Sequence, residues 1–206
     1  MEKKYRLTEE TKECCGRTLH RIEALKDFAD VKAGDKGGWI EKEDNLSHQG
    51  EAWVYGEAWV SDSARVYDSA RVYDSAWVSG SARVYDSAGV GGSAWVSGSA
   101  RVYDSAWVSG SARVYDSAWV SGSARVIDSA CVSDSADYIV FKNWWSSGRY
   151  FTWTRSNNMW KVGCFYGTGE ELVKKAYADS EKSGREYERV VKYVKSILAD
   201  EEKNKE

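Results

Sequence analysis

The sequence predicts a mainly β protein, a parallel β-helix that is followed by a small α+β C-terminal cap. Three observations carry this prediction. Valine recurs every six residues from Val54 to Val132, alanine stands two residues before each valine, and Asp or Gly stands two residues after it. A period of six turns a helical position by about 240°, so these valines cannot form one face of an α-helix.

Each six-residue repeat is predicted to form a short strand and a corner. The residues on either side of a strand valine point away from it, so valine faces inward while Trp or Arg, and Tyr or Ser, face outward. Asp and Gly tolerate the left-handed backbone that a corner requires. The serine that usually follows them can hydrogen-bond to the local backbone.

The repeated pattern Val-x-x-Ser-Ala-x over 52–136 resembles the hexapeptide repeat of left-handed parallel β-helices. This resemblance implies that three hexads form one triangular coil, so that residues eighteen apart stack. Gly38-Trp39-Ile40 and Leu46 extend the pattern toward the N-terminus, which makes about five coils over 38–136. Because Leu46 and Val54 are eight residues apart, Ser47-His48-Gln49-Gly50 is predicted to bulge out as a loop.

Residues 1–37 are predicted to form an N-terminal cap, with a short strand near 18–25 and a turn at Gly34-Asp35. Such a cap would cover the first coil, whose open end is an exposed sheet edge.

Residues 137–206 are predicted to form a C-terminal α+β cap domain. Its expected elements follow from local patterns of alternation, turn residues, capping and helical spacing. They are a strand at 137–141, a hairpin of 149–154 with 159–165, a helix from the capping box at Thr168 to about Ala178, and a second helix to about Leu198.

Segments in both terminal regions resemble those of phage and prophage proteins with hexapeptide repeats. They are Trp145–Trp153, Gly163–Thr168, Gly16–Leu19 and Gly37–Glu41. The resemblance implies a protein of a bacterial virus or an integrated prophage, located in the cytoplasm of the bacterial host. The N-terminus has no apolar signal core and no apolar run reaches about 18 residues, so neither secretion nor a membrane is expected.

The net charge argues against nucleic acid as a partner, and the cysteine spacing argues against a zinc site or disulfide bonds. Lys and Arg total 29 against 32 Asp and Glu, so the net charge of −3 does not favour a nucleic-acid backbone. The aromatic and basic run over 142–161 has the composition of a base-stacking surface, but the overall charge argues against nucleic acid as the partner. The spacing of the four cysteines fits neither a zinc site nor a disulfide framework.

The outward columns of the repeat are the predicted binding surface. Stacking at eighteen residues aligns Trp59, Trp77 and Trp95 on one face. The next face carries two columns side by side, Arg65, Arg83 and Arg101 with Tyr67, Tyr85 and Tyr103. Three roles remain open for these columns, namely stiffening of the coil, self-association into a homo-oligomer, and contact with a different partner.

Hexapeptide-repeat proteins also include acyltransferases, which the resemblance implies would use a histidine as general base. The two histidines are His20 and His48, and neither lies in a repeat strand. His48 is interpreted as a solvated loop residue, and no catalytic residue, metal ligand or cofactor is predicted.

The predicted function is therefore that of a non-enzymatic binding protein of phage or prophage type. It would inhibit or sequester a host component, either a defence protein or its small signal molecule. The alternatives are an acyltransferase-like enzyme and a self-assembling structural rod.

Overall fold

A computed structural model describes residues 2–203 and contains two compact units. The first unit runs up to Tyr138 and includes Arg155–Asn157, and the second comprises Ile139–Thr154 and the chain from Asn158 onward. The first unit holds a parallel β-helix of about five turns, and the second holds a small sheet and two helices. The predicted fold class is confirmed.

Each hexad of the β-helix contributes a two-residue strand, here called a rung. Rungs eighteen residues apart pair in parallel, so that Trp59 aligns with Trp77 and Trp77 with Trp95. Three parallel sheets result, one for each side of the coil. The rungs are Trp53–Val54, Trp59–Val60, Arg65–Val66, Arg71–Val72, Trp77–Val78, Arg83–Val84, Gly89–Val90, Trp95–Val96, Arg101–Val102, Trp107–Val108, Arg113–Val114, Trp119–Val120, Arg125–Val126 and Cys131–Val132.

The interior of the coil consists of the valine and alanine columns. All repeat valines are fully buried, as are the alanines from Ala52 to Ala130. From Gly56 to Asp128 the corner residues have positive φ, for example 59° at Asp68 and 66° at Gly80, which explains why only Asp and Gly occupy these positions. The column ends before Ala136, which is exposed and belongs to the short 3-10 helix Ser135–Asp137.

The N-terminal region extends one sheet of the β-helix. Strands Tyr5–Cys14 and Arg17–Ala24 form an antiparallel hairpin, and Lys36–Ile40 joins it to the rung at Trp59–Val60. The short 3-10 helix Glu43–Asn45 follows. The strand predicted near 18–25 is confirmed, whereas Tyr5–Cys14 was not predicted because it buries only Tyr5 and otherwise reads as a polar run.

The second unit has the predicted hairpin and helices. Its sheet contains Tyr138–Lys142, Tyr150–Thr154, Met159–Val162 and Phe165–Gly167, and its helices are Gly169–Asp179 and Glu181–Lys203. The capping box is present, since the Thr168 hydroxyl accepts from the Glu171 N–H and the Glu171 carboxylate accepts from the Thr168 N–H. Neither helix within residues 2–203 is long and apolar enough to cross a membrane.

Candidate binding site

The tryptophan face is the column Trp59, Trp77 and Trp95. Successive ring centroids lie 4.3 and 4.7 Å apart, and the ring planes deviate from parallel by no more than 12°. The predicted alignment of these three indoles is therefore confirmed. Trp59 and Trp77 are half-buried, whereas Trp95, at the end of the stack, is 36% exposed.

The indoles of Trp77 and Trp95 lean toward the preceding coil. The Nε1–H of Trp77 donates to the Ser61 hydroxyl at 3.5 Å, and that of Trp95 donates to the Ser79 hydroxyl at 3.3 Å. Both serines are buried beneath the ring that they bind. Each of these two indoles therefore packs on a small, hydrogen-bonding residue that follows the valine of the preceding coil.

The arginine face is formed by Arg65, Arg83 and Arg101 together with Tyr67, Tyr85 and Tyr103. Its rings follow the valine instead of preceding it, and they stack with centroids 4.9 and 5.0 Å apart. Burial is the main cause that raises the pKa of Tyr67 and Tyr85, so both hydroxyls stay protonated at neutral pH. The guanidinium of Arg101 lies 4.7 Å from the Trp119 ring, which makes a cation–π contact between successive coils.

One aromatic ring per rung is the rule that connects the two faces. From Trp59 to Ser121, each outward Trp is followed two residues later by Ser, and each outward Arg by Tyr. This covariation was visible in the sequence. Where Trp rungs stack on one another, it places the serine of one coil beneath the indole of the next.

The rung Gly89–Val90, which Gly91 follows, carries no ring of its own. A Cβ on Gly89 would lie 2.7 Å from the Trp107 ring, and one on Gly91 would lie 2.0 Å from the Tyr73 ring. The two rings contact each other at 5.4 Å between centroids. The glycines therefore make room for aromatic rings of the two neighbouring coils.

Trp53 precedes the inward Val54 and faces out of the coil, as predicted, but another segment of the chain covers it. It is 1% exposed, with the rings of Phe28 and Tyr5 at 5.3 and 6.1 Å. An indole that leans toward the preceding coil meets the N-terminal segment at this first position. The segment therefore covers a ring that is open elsewhere.

His48 was interpreted as a solvated loop residue, and this interpretation is wrong. Its ring is half-buried and stacks on Tyr5 at 4.3 Å, and its Nδ1 accepts from the Lys4 N–H at 3.2 Å. Burial is the main cause that lowers the pKa of His48. Because Nδ1 is an acceptor, the neutral ring carries its hydrogen on Nε2, 3.9 Å from the Glu43 carboxylate. No ring lone pair is then free to take a substrate proton.

A groove of about 500 Å³ lies between the His48 loop and the arginine face. It brings together three of the predicted binding residues, Arg65, Tyr67 and Arg83, beside acidic residues that include Glu43 and Asp68. The tryptophan face belongs to a different sheet. The nine predicted residues therefore form two surfaces. Within residues 2–203, no group of three or more His, Cys, Asp or Glu residues is arranged to hold a metal ion.

Two comparisons with known proteins concern the repeat. Residues 64–80 match a family model described as the YdcK beta solenoid repeat. A relative is the "Uncharacterized acetyltransferase YdcK" of Escherichia coli (strain K12), which is 39% identical over 61 residues, or 26% of this chain. The match spans only 19% of that protein. Both findings agree with a β-solenoid repeat, while the similarity to phage proteins stays a prediction.

Proposed function

We propose that this chain is a binding protein of phage or prophage type, which uses the tryptophan face to contact another protein. The partner is a component of the bacterial host, which the contact inhibits or sequesters. The observation that carries this proposal is the stack of parallel indoles, which ends in an exposed ring next to a cationic face. Apolar cores with a polar, charged rim are typical of protein interfaces.

The coil itself does not require these indoles. In the same column, the later coils carry Arg113 and Cys131, and their strands pair in the same parallel register. The valine and alanine columns are buried equally throughout. Tryptophan in the earlier coils therefore supplies something other than the fold, and a half-exposed indole stack is a frequent mark of a contact surface.

The phage origin and the host partner rest on the resemblance of the terminal segments. Self-association is the alternative partner for the same face, since an apolar face on a regular coil also suits a second copy of the chain.

The test uses the double variant Trp77→Ser/Trp95→Ser, with Trp119→Ser as the matched control on a different sheet. Circular dichroism first establishes that both variants keep the β signal. Light scattering then measures the mass in solution, and capture from a bacterial lysate is compared among the wild type and both variants. The proposal expects proteins that the wild type and the control capture and the double variant does not.

A loss of mass in the double variant alone would instead identify the face as a self-association surface. Unchanged mass and unchanged capture would show that the indole stack only stiffens the coil, and the proposal would be wrong.

A second candidate is an acyltransferase-like enzyme, which the name of the Escherichia coli relative favours. Similarity within a repeat indicates a shared fold and does not by itself indicate a shared activity. The Nδ1 of His48 already accepts a hydrogen bond from the Lys4 N–H, which argues against His48 as the general base. Calorimetric titration with acetyl-CoA tests this candidate. Binding, together with acetyl transfer to an amine or hydroxyl acceptor, would favour the enzyme over the binding protein.

A further inference from the structure

The stack of the tryptophan face stops at Trp95. The next two positions of the column are Arg113 and Cys131, aligned by parallel pairing of their rungs. Trp77 and Trp95 lean toward the preceding coil. Because Arg113 takes the place of the next indole, the ring that would cover the far side of Trp95 is missing. A cavity of about 290 Å³ lies at this place.

We propose that this cavity, the ladder-end pocket, binds a small molecule that combines a planar heteroaromatic ring with an anionic group. The pocket is lined by Trp95, Ser97, Gly98, Arg113, Tyr115, Asp116 and Cys131. Its volume is close to the lower end of the range of about 300–1,000 Å³ for small-molecule sites. A purine mononucleotide has the chemistry that these side chains recognise.

The ring of the ligand takes the next place in the indole stack. Rings of this column already repeat at 4.3 and 4.7 Å, and Trp95 presents the last flat surface. Stacking on an aromatic side chain binds any planar base. The ligand thus completes a column that the sequence leaves open at this coil.

The two charged side chains orient the ligand. Arg113 is exposed, and its guanidinium pairs with the anionic group, for which its planar array of donors is suited. The carboxylate of Asp116 accepts from N–H groups on the edge of the ring. A ligand with both an anionic group and ring N–H donors therefore binds better than either part alone.

The reverse order of the same residue types has a different outcome on the neighbouring sheet. There the arginine precedes the tryptophan, and the guanidinium of Arg101 lies on the Trp119 ring at 4.7 Å. In the tryptophan face the arginine follows the last indole, and a cavity lies beside them. The order of Trp and Arg along a column therefore decides whether a guanidinium lies against the indole or a cavity lies beside it.

This inference rests on the proposed binding function and deepens it. Trp95 is the one residue that belongs both to the tryptophan face and to the ladder-end pocket. The test is calorimetric titration of the full chain with adenosine 5′-monophosphate and guanosine 5′-monophosphate under reducing conditions. Adenosine and ribose 5-phosphate serve as the two part-ligands. We expect at least one mononucleotide to bind. Each of the two part-ligands should have an affinity at least about tenfold lower than that mononucleotide.

Three variants locate the site. Arg113→Gln should weaken binding by about tenfold through the loss of the charged pairing. Arg113→Trp extends the indole stack into the cavity and should abolish binding. Because it also adds a second ring to the rung that Tyr115 follows, circular dichroism first establishes that this variant keeps the β signal, and Arg113→Gln is the variant without that change in packing. Arg125→Gln changes the same repeat position on another sheet and should bind like the wild type.

The inference is wrong if neither mononucleotide binds at millimolar concentration, or if Arg113→Trp binds as the wild type does. The proposed function is tested separately by Trp77→Ser/Trp95→Ser. If the mononucleotides do not bind but the double variant loses its captured proteins, only the ladder-end pocket is refuted. If a mononucleotide binds and the double variant still captures the same proteins, only the protein-contact role is refuted.

Discussion

The tryptophan face and the arginine face share the same interior and differ only in where the aromatic ring stands. On the tryptophan face the ring precedes the valine and a serine follows it, with the indole N–H bound to the serine of the preceding coil. On the arginine face the ring follows the valine, which leaves the preceding position to a slender cationic chain. Each rung has room for one ring, and its position decides whether a side of the coil is apolar or cationic.

This difference shows how the fold separates stability from surface chemistry. Valine and alanine fill the coil identically on all three sides, so the outer positions are free to vary as long as one ring per rung is respected. Binding properties can then change from coil to coil without a change in the backbone.

The largest expected effect comes from breaking the interior that both faces share. Val90→Asp places a charge without a partner inside a coil where Val90 is fully buried. We expect a loss of about 4 kcal/mol or more in the free energy of unfolding, enough to unfold the chain. The exposed control Ser87→Asp should melt like the wild type. Native circular dichroism and an unchanged melting temperature for Val90→Asp would refute the shared interior.

Changes to the outer rings should reduce the free energy of unfolding less than Val90→Asp does. Of these changes, adding a second ring to a rung of the tryptophan face should be more destabilising than removing a ring from the arginine face. Ser79→Tyr adds a ring where Ser79 is 5% exposed beneath Trp95, and overpacking should cost about 2 kcal/mol. Tyr85→Ser removes stacking with Tyr67 and Tyr103 and should cost about 1 kcal/mol. Urea denaturation measures both, and the reverse order would argue against limited room on a rung.

The sequence predicts the coil, its register and its aligned columns because these depend on local repetition. The Ala-x-Val period alone is enough to place Trp77 above Trp59. The burial of Trp53 and the packing of His48 on Tyr5 could not be predicted, since they depend on contacts between the N-terminal segment and the first coil. The strand Tyr5–Cys14 was missed for the same reason, because its pairing and not its composition makes it a strand.

The N-terminal segment that covers the first rung also makes the stability of the fold depend on pH above pH 8. Lys4 is buried, its Nζ donates to the Ala52 carbonyl at 2.7 Å, and burial lowers its pKa to about 8. Between pH 8 and the unfolded value near 10.5 the unfolded chain binds more protons, so stability rises with pH. We expect an increase of about 1 kcal/mol from pH 8 to pH 9.5.

The matched variant for this effect is Lys4→Met, which keeps the length of the side chain and removes the titrating amine. Urea denaturation of the variant should show a flatter pH profile over the same interval. A profile as steep as that of the wild type would mean that the buried Lys4 amine is not its source.

A double-mutant cycle tests the rule of one ring per rung most directly. The cycle uses the rung Arg83–Val84 and Tyr85, the residue that follows it. Arg83→Trp adds a second ring, Tyr85→Ser removes the first, and the two together convert an Arg-Val-Tyr rung into a Trp-Val-Ser rung. We predict that the double variant is at least about 1 kcal/mol more stable than the sum of the single changes. Additive single changes, measured by urea denaturation, would contradict the rule.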